Sequence, residues 1–159
     1  MKKFFILLSV ILISIFTLTS CNYKLNNTFP SRKKPNNFYY TNLLAQNLTT
    51  SSPKKCIIEE SNFHDQEELG ERNISDIKSM LKILKKNNFI DRPKDLPNKT
   101  SYKIIFTFNK EKLLINVYNE KYLSIYPWDG NYPMDYIDMN KIPISLNLYY
   151  LGKYIFKNY

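Results

Sequence analysis

The chain has 159 residues, with 23 Lys+Arg against 14 Asp+Glu and a formal net charge of +9. That is the length of one domain, and a hydrophobic fraction of 43% excludes wholesale disorder. Three Gly and two Cys exclude collagen-like and disulfide-stapled scaffolds.

Lys2 and Lys3 precede an apolar run from Phe4 to Phe16 that contains no charge, Pro or Gly. Small and polar residues follow up to Cys21, which completes the three-part layout of a secretory signal. Phe4–Leu18 is too short to span a bilayer, which needs about 20 apolar residues. The stretch Leu18-Thr19-Ser20-Cys21 resembles the bacterial lipobox: an aliphatic residue, two small residues and a cysteine. The resemblance implies that the Cys21 thiol receives a diacylglyceryl group and that a peptidase cuts between Ser20 and Cys21. It places the mature protein on the extracytoplasmic face of the cell membrane, with membrane lipid as its partner through acylated Cys21. More than one acyl chain anchors stably, whereas a single chain of ~14 carbons is marginal. Residues 1–20 are therefore read as a signal peptide, 21–37 as the lipidated cysteine and a basic tether, and 38–159 as a single domain.

Residues 22–56 contain no acid; Lys24, Arg32, Lys33, Lys34, Lys54 and Lys55 carry the charge. Beside an anchor such a tether lies near anionic headgroups. Nucleic acid is not an expected partner: the chain is exported, its bases are mostly Lys, and no recognition motif is present.

Apolar residues at Tyr40, Leu43, Leu44 and Leu48 predict a short helix within Phe38–Leu48. Cys56–Ile58 predicts a strand, and Asp65–Glu71 a loop. Ile74, Ile77, Leu81 and Leu84 form the stripe of a second helix, with Asn73 and Asp76 imitating a capping box. Residues 91–101 predict a loop. Alternation over Tyr102–Phe108, Leu113–Val117 and Tyr122–Tyr126, with short connections, predicts an antiparallel meander. Residues 127–141 predict a loop. In Pro143–Tyr159, Ile144, Leu148, Leu151 and Ile155 fit a helix with Pro143 in its first turn, while Ile144, Leu146 and Leu148 also alternate as a strand would; the helix is the favoured reading. The fold class is α+β: a three- to four-stranded antiparallel sheet with helices packed on it.

Candidate chemistry is sparse. Glu59, Glu60, Asp65, Glu67, Glu68, Glu71 and Asp76 form the one acidic concentration. Leu69 occupies a position where a calcium loop needs an oxygen ligand, so no metal is expected. His64 is the single histidine and cannot complete a zinc set. Ser75 with Lys78, and Ser79 with Lys82, match S-x-x-K, but the other motifs of that chemistry are missing. With Cys21 lipidated, Cys56 stands alone, either as a small apolar strand residue or as an intermolecular bridge or reactive thiol. No catalytic residue and no cofactor are expected.

Tyr126-Pro127-Trp128-Asp129-Gly130-Asn131-Tyr132-Pro133 holds the sole Trp. Tyr126, Trp128 and Tyr132 are the expected contact surface for a protein or wall polymer, because aromatic rings bury much area at little entropic cost. The expected function is a non-enzymatic interaction module of the cell envelope. The alternative is a glycan-binding or hydrolytic accessory protein, which would use Asp135, Asp138 and Glu120. Residues 38–159 resemble small lipoproteins of low-GC Gram-positive bacteria. The meander 102–126, the Tyr126–Gly130 turn and Asn147–Leu151 carry that resemblance, which implies fold and location but no activity.

Overall fold

The computed structural model of the protein describes residues 33–157. The signal peptide, the lipobox with Ser20 and Cys21, and the tether up to Arg32 lie outside the described residues. The elements run α1 (Tyr39–Thr50), β1 (Lys55–Glu60), β2 (Gln66–Glu68), α2 (Glu71–Ile83), β3 (Phe89–Ile90), β4 (Tyr102–Thr107), β5 (Lys112–Val117), β6 (Tyr122–Pro127), β7 (Asp135–Asp138) and α3 (Leu148–Ile155).

The seven strands form one antiparallel sheet in the order β2-β1-β4-β5-β6-β7-β3. The fold is thus α+β, but with seven strands instead of the expected three or four. The expected meander is its centre: Ile104 pairs Ile115, which pairs Ile125. Strand alternation puts Ile58, Ile104, Phe106, Ile115, Ile125 and Ile137 on one face. These join Leu44 and Leu48 of α1, Ile77 and Met80 of α2 and Leu148 of α3 in a single core. The three α-helices of the described residues therefore cover one face of the sheet. The other face carries Ile57, Glu59, Lys103, Ile105, Asn116, Ser124, Tyr126 and Tyr136, and among the described residues no helix packs there.

Four expectations are corrected. Gln66–Glu68 is an edge strand, not loop: Glu67 pairs Ile58 and Gln66 pairs Glu59. Its exposed polar side chains hide it from pattern reading and blunt a sheet edge. The second helix starts at Glu71 with Gly70 at its N-cap, not at Asn73. Leu69, buried in the core, donates its N–H to Cys56 O at 2.8 Å, so the chain leaves the sheet at Gly70 and turns directly into the helix. Within 127–141, Asp135–Asp138 is a strand that pairs both β6 and β3. The last helix starts at Leu148, after a 3-10 turn over Ile144–Leu146 that Pro143 precedes. Asn147, a better N-cap than Pro143, accepts from Tyr149 N at 3.1 Å. Its amide also donates to Glu120 O at 2.8 Å, which fixes the helix start to the β5–β6 turn.

The compact unit begins at Lys33, before the expected residue 38. Lys34 and Asn37 bond to the body, and Phe38 packs on Phe89 at a centroid distance of 5.4 Å. Among the described residues, no helix is long and apolar enough to cross a membrane.

Candidate functional site

Three places in the domain carry polar or aromatic groups that the core does not require. The first lies where the chain enters. Asp135 is fully buried on the helix-covered face, because it pairs with Ile125 of the central sheet. One carboxylate oxygen accepts from Thr41 N at 2.7 Å and from Thr41 Oγ1 at 2.8 Å. The other meets Lys34 Nζ in an ion pair whose lysine is nearly buried. Lys34 Nζ also donates to Pro133 O at 2.8 Å and lies 5.3 Å from the centre of the Tyr40 ring. The last residues of the expected tether are thereby fastened to the β6–β7 connection.

The second place is that connection itself. Trp128 donates its backbone N–H to Lys112 O at 3.0 Å, and its side chain is 67% exposed. It borders a groove of about 370 Å³ with Thr107, Lys110, Lys112 and Asp129. Tyr126 is half-buried and faces Leu114 across the ladder, on the sheet face opposite α1, α2 and α3. Tyr132 goes elsewhere: its ring packs edge-on to Tyr39 at 5.5 Å, and its N–H donates to Tyr40 Oη at 2.9 Å. Gly130 permits this packing, since a Cβ there would meet Pro127 Cγ and Tyr40 Oη at 2.9 Å. Of the three expected contact residues, Trp128 is openly presented, Tyr126 partly so, and Tyr132 belongs to an aromatic cluster with α1.

The third place was not foreseen. Between α2 and α3 runs a groove of about 500 Å³, lined by Arg72, Asn73 and Asp76 on one side and Ile144, Tyr150 and Tyr154 on the other. Ile144 and Tyr154 are each 71% exposed. Tyr150 and Tyr154 stand four apart in α3, outside its core-facing stripe. That spacing was the available signal, and a helix expected to start at Pro143 instead of Leu148 hid it.

The other candidates disperse. Asp135 and Asp138 point to opposite faces of β7, as positions three apart in a strand must. Asp138 accepts from Asn140 N at 2.9 Å, so the two carboxylates share no cleft. Glu120 contributes its backbone carbonyl, to Asn147. Glu60 closes its own turn by accepting from Asn62 N and Phe63 N, both at 2.8 Å. Glu59 accepts from Gln66 at 2.8 Å and lies 3.8 Å from Lys103. Burial pushes the Glu59 carboxyl up. Bonds from Gln66 and His64 and the Lys103 charge outweigh it and hold the carboxyl below the usual range. His64 sits in the hairpin turn with φ 61°, a left-handed conformation, exposed beside Glu59. Among the described residues, no three His, Cys, Asp or Glu side chains converge as a metal site would require. Cys56 is buried in β1, and burial, with a smaller contribution from Glu68, pushes its thiol up to about 12. At neutral pH it is a protonated core residue. Ser79 donates to Ser75 O at 2.9 Å within α2, so its hydroxyl is engaged by the helix backbone.

Comparison with known proteins adds kinship. The crystal structure of “Putative Lipoprotein from Clostridium perfringens” is similar to this chain with a TM-score of 0.69 and 32% sequence identity. The match covers 79% of this chain and 99% of that one. Among curated proteins, none matches. Residues 34–152 match the family described as “Domain of unknown function (DUF4883)”. The match starts at the ion-paired Lys34, runs through the sheet and ends inside α3. On the family match and the likeness to the Clostridium perfringens protein together, the chain belongs to the DUF4883 family.

Proposed function

We propose that this protein is a lipoprotein held on the extracytoplasmic face of the cell membrane through Cys21, and that its folded domain is a non-enzymatic interaction module of the cell envelope. The observation that carries the location is the likeness, over 79% of this chain, to a Clostridium perfringens protein described as a “Putative Lipoprotein”. The Leu18-Thr19-Ser20-Cys21 sequence, placed after an apolar run of suitable length, supplies the chemistry. Signal cleavage before Cys21 and acylation of its thiol follow from that sequence.

The module reading rests on what the domain presents. Trp128 stands exposed at one end of the sheet, and Ile144, Tyr150 and Tyr154 line the groove between α2 and α3, where α3 starts from the opposite end beside Glu120. Large side chains exposed together mark contact surfaces more often than solvent-facing accidents. A protein or a wall polymer suits such surfaces, with Tyr126 and Tyr132 as neighbours of the contact rather than its anchors.

Fractionation of cells tests the location. The natural chain should sediment with membranes, and a Cys21→Ser chain should not. Blocking the lipoprotein peptidase should leave a precursor heavier by residues 1–20. A Cys21→Ser chain that is still processed and membrane-bound overturns the reading. For the module, a photo-crosslinker at position 150 should join the protein to an envelope component in intact cells. Absence of any adduct there and at position 128 overturns it.

A further inference from the structure

Trp128 does not stand alone at its end of the sheet. Lys55 pairs Thr107, and Thr107 pairs Lys112, whose carbonyl accepts from Trp128 N. Lys54 donates its N–H to Thr107 O at 2.8 Å, and Lys110 lies in the β4–β5 turn. Lys54, Lys55, Lys110 and Lys112 are all exposed, and among the described residues none forms an ion pair. Two acids share this end. Glu111 accepts from Asn47 at 3.0 Å, and Asp129 is exposed beside Trp128.

The opposite end differs in kind. It mixes Glu60, Asp65 and Glu120 with Lys99 and Lys121, and Lys121 is paired with Asp95. Six-residue strands hold the two ends roughly 20 Å apart.

The chain enters the domain at the same connection that carries Trp128, because Lys34 bonds to Pro133 and Asp135. Thirteen residue-to-residue steps lead from Cys21 to Lys34, and even fully extended they reach only about 45 Å. A lipid on Cys21 therefore keeps this end within a domain's length of the bilayer.

We infer that the Trp128 end is a docking face for the anionic surface of the membrane itself, which leaves the α2–α3 groove turned outward for an envelope partner. This rests on the reading of Cys21 as the anchor. Lysines are drawn to anionic headgroups, and a Trp ring sits well at headgroup level, with its apolar body buried and its N–H wet. The lipid anchor supplies residence, and the docking face supplies orientation. Each lysine near such a surface contributes about fivefold in binding, an attraction that fades within a Debye length and weakens with salt.

The test uses residues 21–159 with Cys21→Ser, so that no acyl chain contributes, and vesicles of phosphatidylglycerol or of phosphatidylcholine. Trp128 is the sole Trp, so its emission reports the contact directly. The expected result is a blue shift and co-sedimentation with phosphatidylglycerol vesicles, lost in high salt and absent with phosphatidylcholine. Lys110→Ala with Lys112→Ala should weaken binding about 25-fold. Phe63→Ala, at the exposed tip of the opposite end, should leave it unchanged. Lack of any shift or sedimentation by folded protein overturns the proposal even if Cys21 is lipidated in cells. Loss of binding in Phe63→Ala, or binding to soluble teichoic acid but not to vesicles, overturns it too. A chain that binds the vesicles but is never lipidated in cells would refute the anchor alone.

Discussion

Replacing Lys34 with methionine keeps the aliphatic stem and removes the cation that meets the buried Asp135 carboxylate. Thr41 still donates twice to the other oxygen, but the negative charge loses its counter-ion on the core face of the sheet. Removing one partner of a buried pair costs about 3–5 kcal/mol. The Lys34 side chain is 13% exposed, so some water reaches the site, and the lower end, about 3 kcal/mol, is expected. In a domain of this size that lowers Tm by roughly 10–15 °C. Asp135→Asn is milder. Its carbonyl oxygen still accepts from Thr41, and Lys34 can turn outward, so about 1–2 kcal/mol is lost. The double variant should recover part of the Lys34→Met cost, because no unpaired charge is left buried. Urea unfolding of the four chains, read as a double-mutant cycle, measures the coupling. If Lys34→Met costs under about 1 kcal/mol, or if the two changes simply add, the pair does not fasten the tether. The domain would then begin at α1, and the bound on its reach from Cys21 would loosen.

Other consequences are equally direct. Gly152 lies under the Tyr102 ring, where a Cβ would stand 2.5 Å from Tyr102 Cδ2, and that ring is stacked on Phe156. Gly152→Ala should therefore destabilise the fold by roughly 1–3 kcal/mol despite its helix propensity; a stabilised variant in thermal melts would refute the packing. Cys56 should resist thiol reagents at neutral pH and react only on unfolding. Because its folded value is raised above the ordinary one, the stability it contributes is complete below about pH 9 and is lost as pH rises toward 12. Rapid labelling of the native chain would contradict this. Glu59 runs the other way. Its folded value is lowered, so its contribution is present above the ordinary carboxylate range and is lost as pH falls through the folded value. Glu59→Gln should flatten that part of the acid limb of stability; an unchanged acid limb would argue against the Gln66–Glu59–Lys103 contacts.

The sequence alone determined the parts that repeat locally. Period-two alternation in Tyr102–Tyr126 fixed three strands, because both their pairing and their turns are short-range. The spacing of Ile77 and Leu81 fixed α2 although not its start. The N-terminal segment is read from its own linear order, and no tertiary structure is needed to propose the anchor. Tertiary structure alone decided the rest. Gln66–Glu68 and Phe89–Ile90 are too short to show a period, and they become strands only because β1 and β7 offer unpaired edges. Asp135–Asp138 hid its alternation by placing a carboxylate at a core position. That position is tolerable only because Lys34, about a hundred residues earlier, arrives to neutralise it. The same long-range packing drew Tyr132 onto α1 and left Trp128 in solvent. Which aromatic side chain is buried depends on what lies across from it in space, and no local pattern records that.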